Sequence, residues 1–228
     1  MPPSFCPLRC LVLHIAVQLS LFSVSPKMAF TLLPVSLLLN LLLLRNVYAI
    51  QLFPSAESMP TTIPAACRKA LSTNITCNPL VPASFVAAQR PLTNSTLKDV
   101  CATSCSQSLV SFQQAVNSAC GDTSYEFYAL SNSTVSTTAD KLVCPLVWAH
   151  NVTCLQDGSS FCYAEVTNGS VTACSNCLLS YEAAMLGSVY GRGRVNPAAF
   201  SSQLSSCGVP ASKYPYSSPT DGPTATST

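Results

Sequence analysis

The chain has 228 residues, of which 48% are hydrophobic and 9% are charged, and its formal net charge is +2 at pH 7. Three of the basic residues, Arg9, Lys27 and Arg45, precede residue 50. Residues 50–228 contain the other 8 basic residues and 9 acidic ones, so the net charge of this part of the chain is about −1. A chain without a basic surface is not expected to hold nucleic acid or an anionic membrane.

The first 49 residues are predicted to be a leader. From Met28 an apolar core covers residues 30–44 and ends in "VYA", which places Val47 and Ala49 at the −3 and −1 positions of a small-residue cleavage site. The core is short for a membrane-spanning helix and is interrupted by Pro34 and Asn40, so a secretory signal peptide is favoured over a signal anchor. Residues 1–27 are interpreted as an over-extended start, and no membrane contact is expected after cleavage.

Three segments follow the leader. Residues 50–64 are expected to be a loose lead-in, residues 65–209 a cysteine-rich helical domain, and residues 210–228 a Ser/Thr/Pro-rich tail with the composition of an O-glycosylated stalk. Helical periodicity within the domain predicts a mainly α, small disulfide-rich secreted fold.

The first half of the domain is predicted to contain two helices. A short one lies near Ala65–Leu71. A long one covers residues 97–120, where apolar residues recur at spacings of three and four and form one buried face: Leu97, Cys101, Cys105, Leu109, Phe112, Val116 and Cys120. Ser95 or Thr96 can cap its start, and Gly121 stands where a glycine commonly ends a helix.

Two further helices are predicted in the second half. One covers residues 172–186, and its predicted buried stripe consists of Cys174, Cys177, Leu178, Tyr181 and Met185. The other begins at Pro197, with Asn196 as its cap. Residues 125–155, which include Pro145, are compatible with an extended segment or with a short helix.

Eleven of the 13 cysteines remain once Cys6 and Cys10 are removed with the leader. In a secreted chain this density predicts a disulfide framework. Because eleven is odd, at least one thiol is left over, modified or bonded to another chain.

Cys174 and Cys177 form a C-x-x-C pair, which in other contexts marks a zinc site or a redox dithiol. Zinc needs about four ligands, and the mature chain offers neither a second C-x-x-C nor a histidine besides His150. A redox dithiol needs a βαβ context, whereas these surroundings are helical. Both cysteines are therefore predicted to form structural disulfides with separate partners, and no metal or cofactor is expected.

Cys101 and Cys105 are predicted not to be bonded to each other. On one helix they would have Cβ atoms about 5–6 Å apart, whereas a disulfide needs about 3.8 Å. Cys67 and Cys77 are their nearest candidate partners.

A cysteine pattern occurs twice along the domain. Cys67 and Cys77 are ten residues apart, and so are Cys144 and Cys154, and each second cysteine ends an N-x-T-C sequence. A close cysteine pair and a closing Cys-Gly follow each time. These features suggest two related disulfide-stapled helical units, although no long residue identity separates this hypothesis from coincidence.

Five Asn-x-Ser/Thr sequons predict N-glycosylation and exposure of their asparagines. The sites are Asn74, Asn94, Asn132, Asn151 and Asn168.

The residues do not favour an enzyme. The chain has no G-x-S-x-G sequence, and His150 is expected to be exposed because it adjoins the Asn151 sequon. The remaining candidates are carboxylates for which no spacing selects a catalytic pair, so solvated positions are expected. These carboxylates are Asp140, Asp157, Glu165 and Glu182.

Five stretches of the chain carry a further pattern: "CRKALSTNITCNPLV", "LKDVCATSCSQSLVSFQQAVNSACG", "NVTCLQDGSSFCY", "CSNCLLSYEAAML" and "FSSQLSSCGVPASKYPYSSPT". Together they resemble the amino-terminal cysteine-rich region of fungal secreted LysM-domain proteins. The resemblance covers about residues 65–220. It implies an extracellular or cell-wall protein from a lineage whose LysM repeats bind chitin oligosaccharides and dampen host immunity. No stretch of residues 65–228 reads as a LysM repeat, so no chitin-binding residue of the family can be placed here.

The resemblance also bears on the leftover thiol. The family pattern requires no cysteine at position 144, so Cys144 is the first candidate, although the spacing shared with Cys67 argues the other way. The other ten are expected to be bonded: Cys67, Cys77, Cys101, Cys105, Cys120, Cys154, Cys162, Cys174, Cys177 and Cys207.

Two functions are therefore carried forward. The first is a secreted, glycosylated, non-catalytic protein that binds or sequesters chitin oligosaccharides or fungal wall glycans. The alternative is a disulfide-rich structural or spacer module of the cell wall without glycan binding. Exposed aromatic rings would favour the first, because sugars stack on them; the candidates are Trp148, Tyr163, Tyr190, Tyr214 and Tyr216.

Overall fold

The computed structural model describes residues 50–77, 79–128 and 134–216, so the leader and most of the tail lie outside it. Within these residues the fold is mainly α and disulfide-rich, which confirms the prediction. The helices are α1 Ala65–Leu71, α2 Ala83–Ala87, α3 Asn94–Val100, α4 Thr103–Cys120, α5 Ala139–Thr153, α6 Cys162–Thr167, α7 Asn176–Leu186 and α8 Pro197–Ser206. The strands form two antiparallel hairpins, β1 Ser124–Tyr128 with β2 Thr134–Thr138, and β3 Gln156–Asp157 with β4 Ser160–Phe161.

The helices with strong local signals form as predicted. Helix α1 has the expected bounds. Helix α8 begins at Pro197, and the Asn196 side chain accepts the N–H groups of Ala198 and Ala199 at 2.9 and 3.2 Å. No helix of the described residues is long and apolar enough to cross a membrane.

The predicted long helix is two helices. Thr93, not Ser95 or Thr96, caps α3, and the chain leaves helical geometry at Ala102 (φ −58°, ψ 142°) before α4 begins. Leu97 before the break and Leu109 after it are both buried, so the spacing of apolar residues gives no sign of the two-residue break. The prediction was wrong because periodicity reports which face is buried and not whether the backbone is continuous.

Three other expectations need correction. The lead-in is not loose, because Ile63 is buried in the core and Ile50 pairs with Ile75 through hydrogen bonds of 2.9 and 2.7 Å. Helix α7 begins at Asn176, since Ser175 caps it, and Cys174 is exposed before it. Residues 125–155 contain both a hairpin and a long helix.

Helix α5 lies between two hydrophobic clusters. Val143 and Val147 pack with residues of α1 and α4, whereas Ala149 and Val152 pack with residues of α2, α3, α6 and α7. A third cluster joins α7 to α8 around Phe200. Helix α7 takes part in the second and third clusters and therefore fixes the position of α8.

Five disulfides hold these helices together: Cys67–Cys120, Cys77–Cys105, Cys101–Cys154, Cys162–Cys177 and Cys174–Cys207. Cys101 and Cys105, and likewise Cys174 and Cys177, bond to separate partners, as predicted. Cys105 bonds to Cys77, one of the two candidate partners, but the expected partners were wrong for Cys101, which bonds to Cys154 because it ends α3 and does not lie on the helix that carries Cys105.

The disulfide connectivity does not repeat along the chain. Cys77 bonds forward to α4, whereas Cys154, its counterpart, bonds backward to Cys101. The disulfide bonds therefore give no support to the suggestion of two related units. Cys144, which lies on α5, takes part in none of these five bonds, and its thiol donates to Asp140 Oδ2 at 3.2 Å. Its assignment as the leftover thiol stays a prediction.

Candidate functional site

A cavity of about 160 Å³ lies between α7, α8 and the segment that follows α2. Tyr181 and Phe200 are each 1% exposed and line its interior. Gln89, Arg194 and Asn196 are exposed and form its rim. The cavity thus opens at a polar rim and has an aromatic interior.

The Tyr181 hydroxyl is buried in this cavity without a hydrogen-bond partner among the described residues. Burial raises the pKa of Tyr181, and the Gln89 side chain opposes that rise without reaching hydrogen-bond geometry. The neighbouring Tyr163, whose ring centroid is 6.2 Å away, donates its hydroxyl to the Arg90 carbonyl at 2.7 Å. A buried hydroxyl without a hydrogen bond lowers the free energy of unfolding by about 1–3 kcal/mol. Tyr181 carries this desolvation cost, whereas Tyr163 does not.

Glu182 brings a second unmatched polar atom to the cavity. Its Oε2 is buried and lacks a partner among the described residues. Burial raises the pKa of Glu182, and the Gln203 side chain opposes the rise. Gln203 is itself held in place because its Nε2 donates to the Ala173 carbonyl at 2.6 Å.

Gln89 reaches the cavity from an unfavourable backbone conformation. Its φ is +53°, the only positive value outside glycine among the described residues. For a residue with a Cβ atom this costs roughly 1–2 kcal/mol, and such strain commonly occurs at functional sites. An unpartnered phenol, an unpartnered carboxyl oxygen and a strained glutamine therefore meet at one cavity.

The lining combines apolar walls, formed by Val166, Leu178 and Phe200, with hydroxyl, carboxyl and amide groups. This mixture is typical of small-molecule sites, in which a few polar groups orient a ligand against apolar surface. Full ligand pockets usually measure about 300–1,000 Å³. A cavity of about 160 Å³ is therefore suited to one ring or one end group of a longer ligand.

The five aromatic residues singled out by sequence lie elsewhere. Tyr163 and Tyr214 are core residues at 0% and 6% exposure, and Tyr216 packs on Phe200 with ring centroids 5.9 Å apart. Trp148 is half-buried, its indole N–H donates to the Ala184 carbonyl at 3.1 Å, and its ring lies 5.7 Å from that of Tyr190. Of the five residues, Tyr190 is the most exposed, at 36%.

His150 is buried, which corrects the expectation that it is exposed. Its exposed fraction is 9%, and its Nε2 lies 3.2 Å from Ser106 Oγ on α4. Burial lowers the pKa of His150. Consecutive residues point to different sides of a helix, so Asn151 is exposed while His150 faces inward. The Ser106–His150 contact joins α4 to α5.

The candidate carboxylates are distributed over the fold. Glu182 is the only one among the described residues that line the cavity. Glu165 lines a different cleft, Asp140 accepts from Cys144, and Asp157 is exposed.

Four sequon asparagines lie at exposed positions: Asn74, Asn94, Asn151 and Asn168. The fifth, Asn132, lies outside the described residues. Their occupancy stays a prediction.

Sequence reasoning missed the cavity. Tyr181 was expected in a buried stripe and Glu182 in solvent. Gln89 carried no signal, because its backbone conformation is not readable from residue type. Tyr181 and Glu182 are neighbours on α7, and Gln89 reaches them only because α2 packs in the same hydrophobic cluster as α7.

Comparison with known proteins gives the family. Residues 47–180 match the model of the secreted LysM effector N-terminal domain. Over 186 residues the chain is 38% identical to the secreted LysM effector LysM10 of Penicillium expansum, covering 81% of this chain and 67% of that protein. Over 116 residues it is 32% identical to the secreted LysM effector Vd5LysM of Verticillium dahliae, covering 46% of this chain and 15% of that protein.

No solved structure matches the chain. The matches to curated proteins confirm the predicted extracellular location and the resemblance seen in the cysteine pattern. The chain belongs to the secreted LysM effector family, whose N-terminal domain it contains.

Proposed function

We propose that this chain is a non-catalytic glycan-binding effector that holds chitin oligosaccharides or related fungal wall glycans and withholds them from host immune recognition. The observation that carries the proposal is the cavity in which Tyr181 and Glu182 both present unpartnered buried polar atoms. Membership in a family of secreted LysM effectors supports it.

The chemistry of the lining suits an acetamido sugar. Such a ring carries hydroxyl and amide groups together with an apolar face. Tyr181 and Glu182 place polar groups beside the Phe200 ring, and their buried atoms become available to a sugar when the lining side chains move aside. Because neither polar atom has a partner among the described residues, a ligand hydrogen bond would offset an existing desolvation cost.

The arrangement of carboxylates favours binding over hydrolysis. Glycosidases commonly use two carboxyl groups about 5–9.5 Å apart. Among the described residues that line the cavity, Glu182 has no carboxylate counterpart. We therefore assign Glu182 to hydrogen bonding.

Calorimetric titration of the secreted chain with a chitin oligosaccharide tests the proposal. Glu182→Gln and Tyr181→Phe keep the shape of the cavity. Glu182→Gln is expected to weaken binding about tenfold or more, because a hydrogen bond to a charged group contributes about 1.5–3 kcal/mol. Tyr181→Phe is expected to weaken binding by about two- to tenfold, because a neutral hydrogen bond contributes about 0.5–1.5 kcal/mol. Tyr128→Phe is the matched control, since Tyr128 is 67% exposed on the β1–β2 hairpin.

Two results would contradict the proposal in different ways. Binding that survives both cavity substitutions would place the glycan site elsewhere, with the Trp148–Tyr190 surface as the next candidate. An unsubstituted chain that binds no glycan would leave the spacer function, for which the five disulfides supply the rigidity.

A further inference from the structure

A second, larger cleft of about 380 Å³ lies between the start of α3, strand β4 and α6. Asn94 and Asn168 both line it. Each is the acceptor asparagine of a sequon, and the two are far apart in sequence. Asn74 and Asn151, the other sequon asparagines among the described residues, are exposed but do not line this cleft.

Local hydrogen bonds fix both asparagines at the cleft. In the first sequon, Thr93 caps α3 by accepting the Thr96 N–H at 3.1 Å, and this bond sets the first turn of the helix. In the second, the Ser170 N–H and hydroxyl both donate to the Glu165 carbonyl, at 2.9 and 3.0 Å. The backbone at both attachment positions is therefore held beside the cleft.

The surface of the cleft suits sugar residues. It presents the side chains of Lys98, Ser159, Ser160 and Glu165, which can donate and accept hydrogen bonds. Phe161, which is 8% exposed, contributes an aromatic surface. Lys98 and Glu165 have opposite charges, so the cleft favours a neutral, hydroxyl-rich occupant over an ion.

We propose that this cleft is a seat for the chain's own N-linked glycans, and that the protein-proximal N-acetylglucosamine residues at Asn94 and Asn168 pack into it. The sugars then bridge α3 and α6 and close this face to other ligands. The inference requires that both sequons are occupied, but it is independent of glycan binding at the Tyr181–Glu182 cavity.

The full chain, secreted from a eukaryotic host, provides an internal comparison. Glycopeptide mass spectrometry first measures occupancy at each sequon. An amidase that cleaves the asparagine–sugar bond is then applied to the native protein, and the rate of release is followed at each site. We expect release at Asn94 and Asn168 to be roughly tenfold slower than at Asn74 and Asn151, because a seated sugar is cleaved only after local opening. All four rates should become similar once the protein is unfolded.

The thermal midpoint gives a second measurement. Asn94→Gln with Asn168→Gln is expected to lower Tm by about 2–4 °C, whereas Asn74→Gln with Asn151→Gln leaves it unchanged. The same substitutions in enzymatically deglycosylated protein should show no such difference, which separates loss of the sugar from loss of the asparagine. Equal release rates from all four sites of the native protein would overturn the proposal, and so would sequons at Asn94 and Asn168 that carry no glycan.

Discussion

Deleting one hydroxyl group from each of two neighbouring tyrosines should change stability in opposite directions. Tyr163 and Tyr181 are both almost fully buried, at 0% and 1% exposure, and their rings are in contact. Tyr163 donates its hydroxyl to the Arg90 carbonyl, whereas Tyr181 has no partner among the described residues. The two substitutions to phenylalanine remove the same atom from similar surroundings.

The expected magnitudes follow from these contacts. Tyr163→Phe loses a hydrogen bond with a net contribution of about 1 kcal/mol. Tyr181→Phe removes a hydroxyl whose desolvation is not offset by a hydrogen bond to any described residue, which gives a gain of up to about 1 kcal/mol. The free energies of unfolding of the two variants should therefore differ by about 1–2 kcal/mol.

Denaturant unfolding of the oxidised, secreted protein measures both values, and calorimetry should show midpoints that differ by about 2–8 °C. Tyr181→Phe is expected to be as stable as the unsubstituted chain or more stable, while it loses affinity for the chitin oligosaccharide. Equal destabilisation by the two substitutions would refute the reasoning, because it would mean that the Tyr181 hydroxyl is satisfied within the fold.

Three other outcomes follow from burial. Phe112→Asp is expected to abolish secretion, because an unpaired carboxylate at this 2% exposed position costs several kcal/mol, whereas Gln114→Asp on the exposed face of the same helix leaves secretion intact. Mild reduction followed by alkylation and peptide mapping should open Cys174–Cys207 before the buried disulfides, since Cys174 is exposed. Burial raises the pKa of Glu182 above its usual value of 4.5. The folded protein is therefore most stable while Glu182 is protonated, below that value, and loses stability as the pH rises through the folded-state pKa of this carboxyl. Urea unfolding of Glu182→Gln at a series of pH values should show that this loss is gone.

Each of these outcomes can be contradicted directly. Normal secretion of the Phe112→Asp variant would show that this face of α4 is accessible. Label appearing first on Cys67 and Cys120 would contradict the order of exposure. An unchanged pH profile for Glu182→Gln would show that this carboxyl titrates alike in the folded and unfolded chain.

The sequence alone predicted those helix ends that depend on a few adjacent residues. Asn196 and Pro197 specify the start of α8, because a side-chain cap and a fixed φ act on adjacent residues. Phe112 was placed in the core by the spacing of its apolar neighbours, and it is 2% exposed. The number and spacing of the cysteines likewise sufficed to predict a secreted disulfide framework.

Interactions between distant residues decided the rest. The break at Ala102 was concealed because both helices bury the same face. The bond between Cys101 and Cys154 depends on how α3 approaches α5, which no spacing along the chain encodes. The cavity exists because α7 packs against α8 and because Gln89 adopts a left-handed conformation. Sequence patterns report which side of an element is buried, whereas the polar groups that remain without partners are set by what packs against that side.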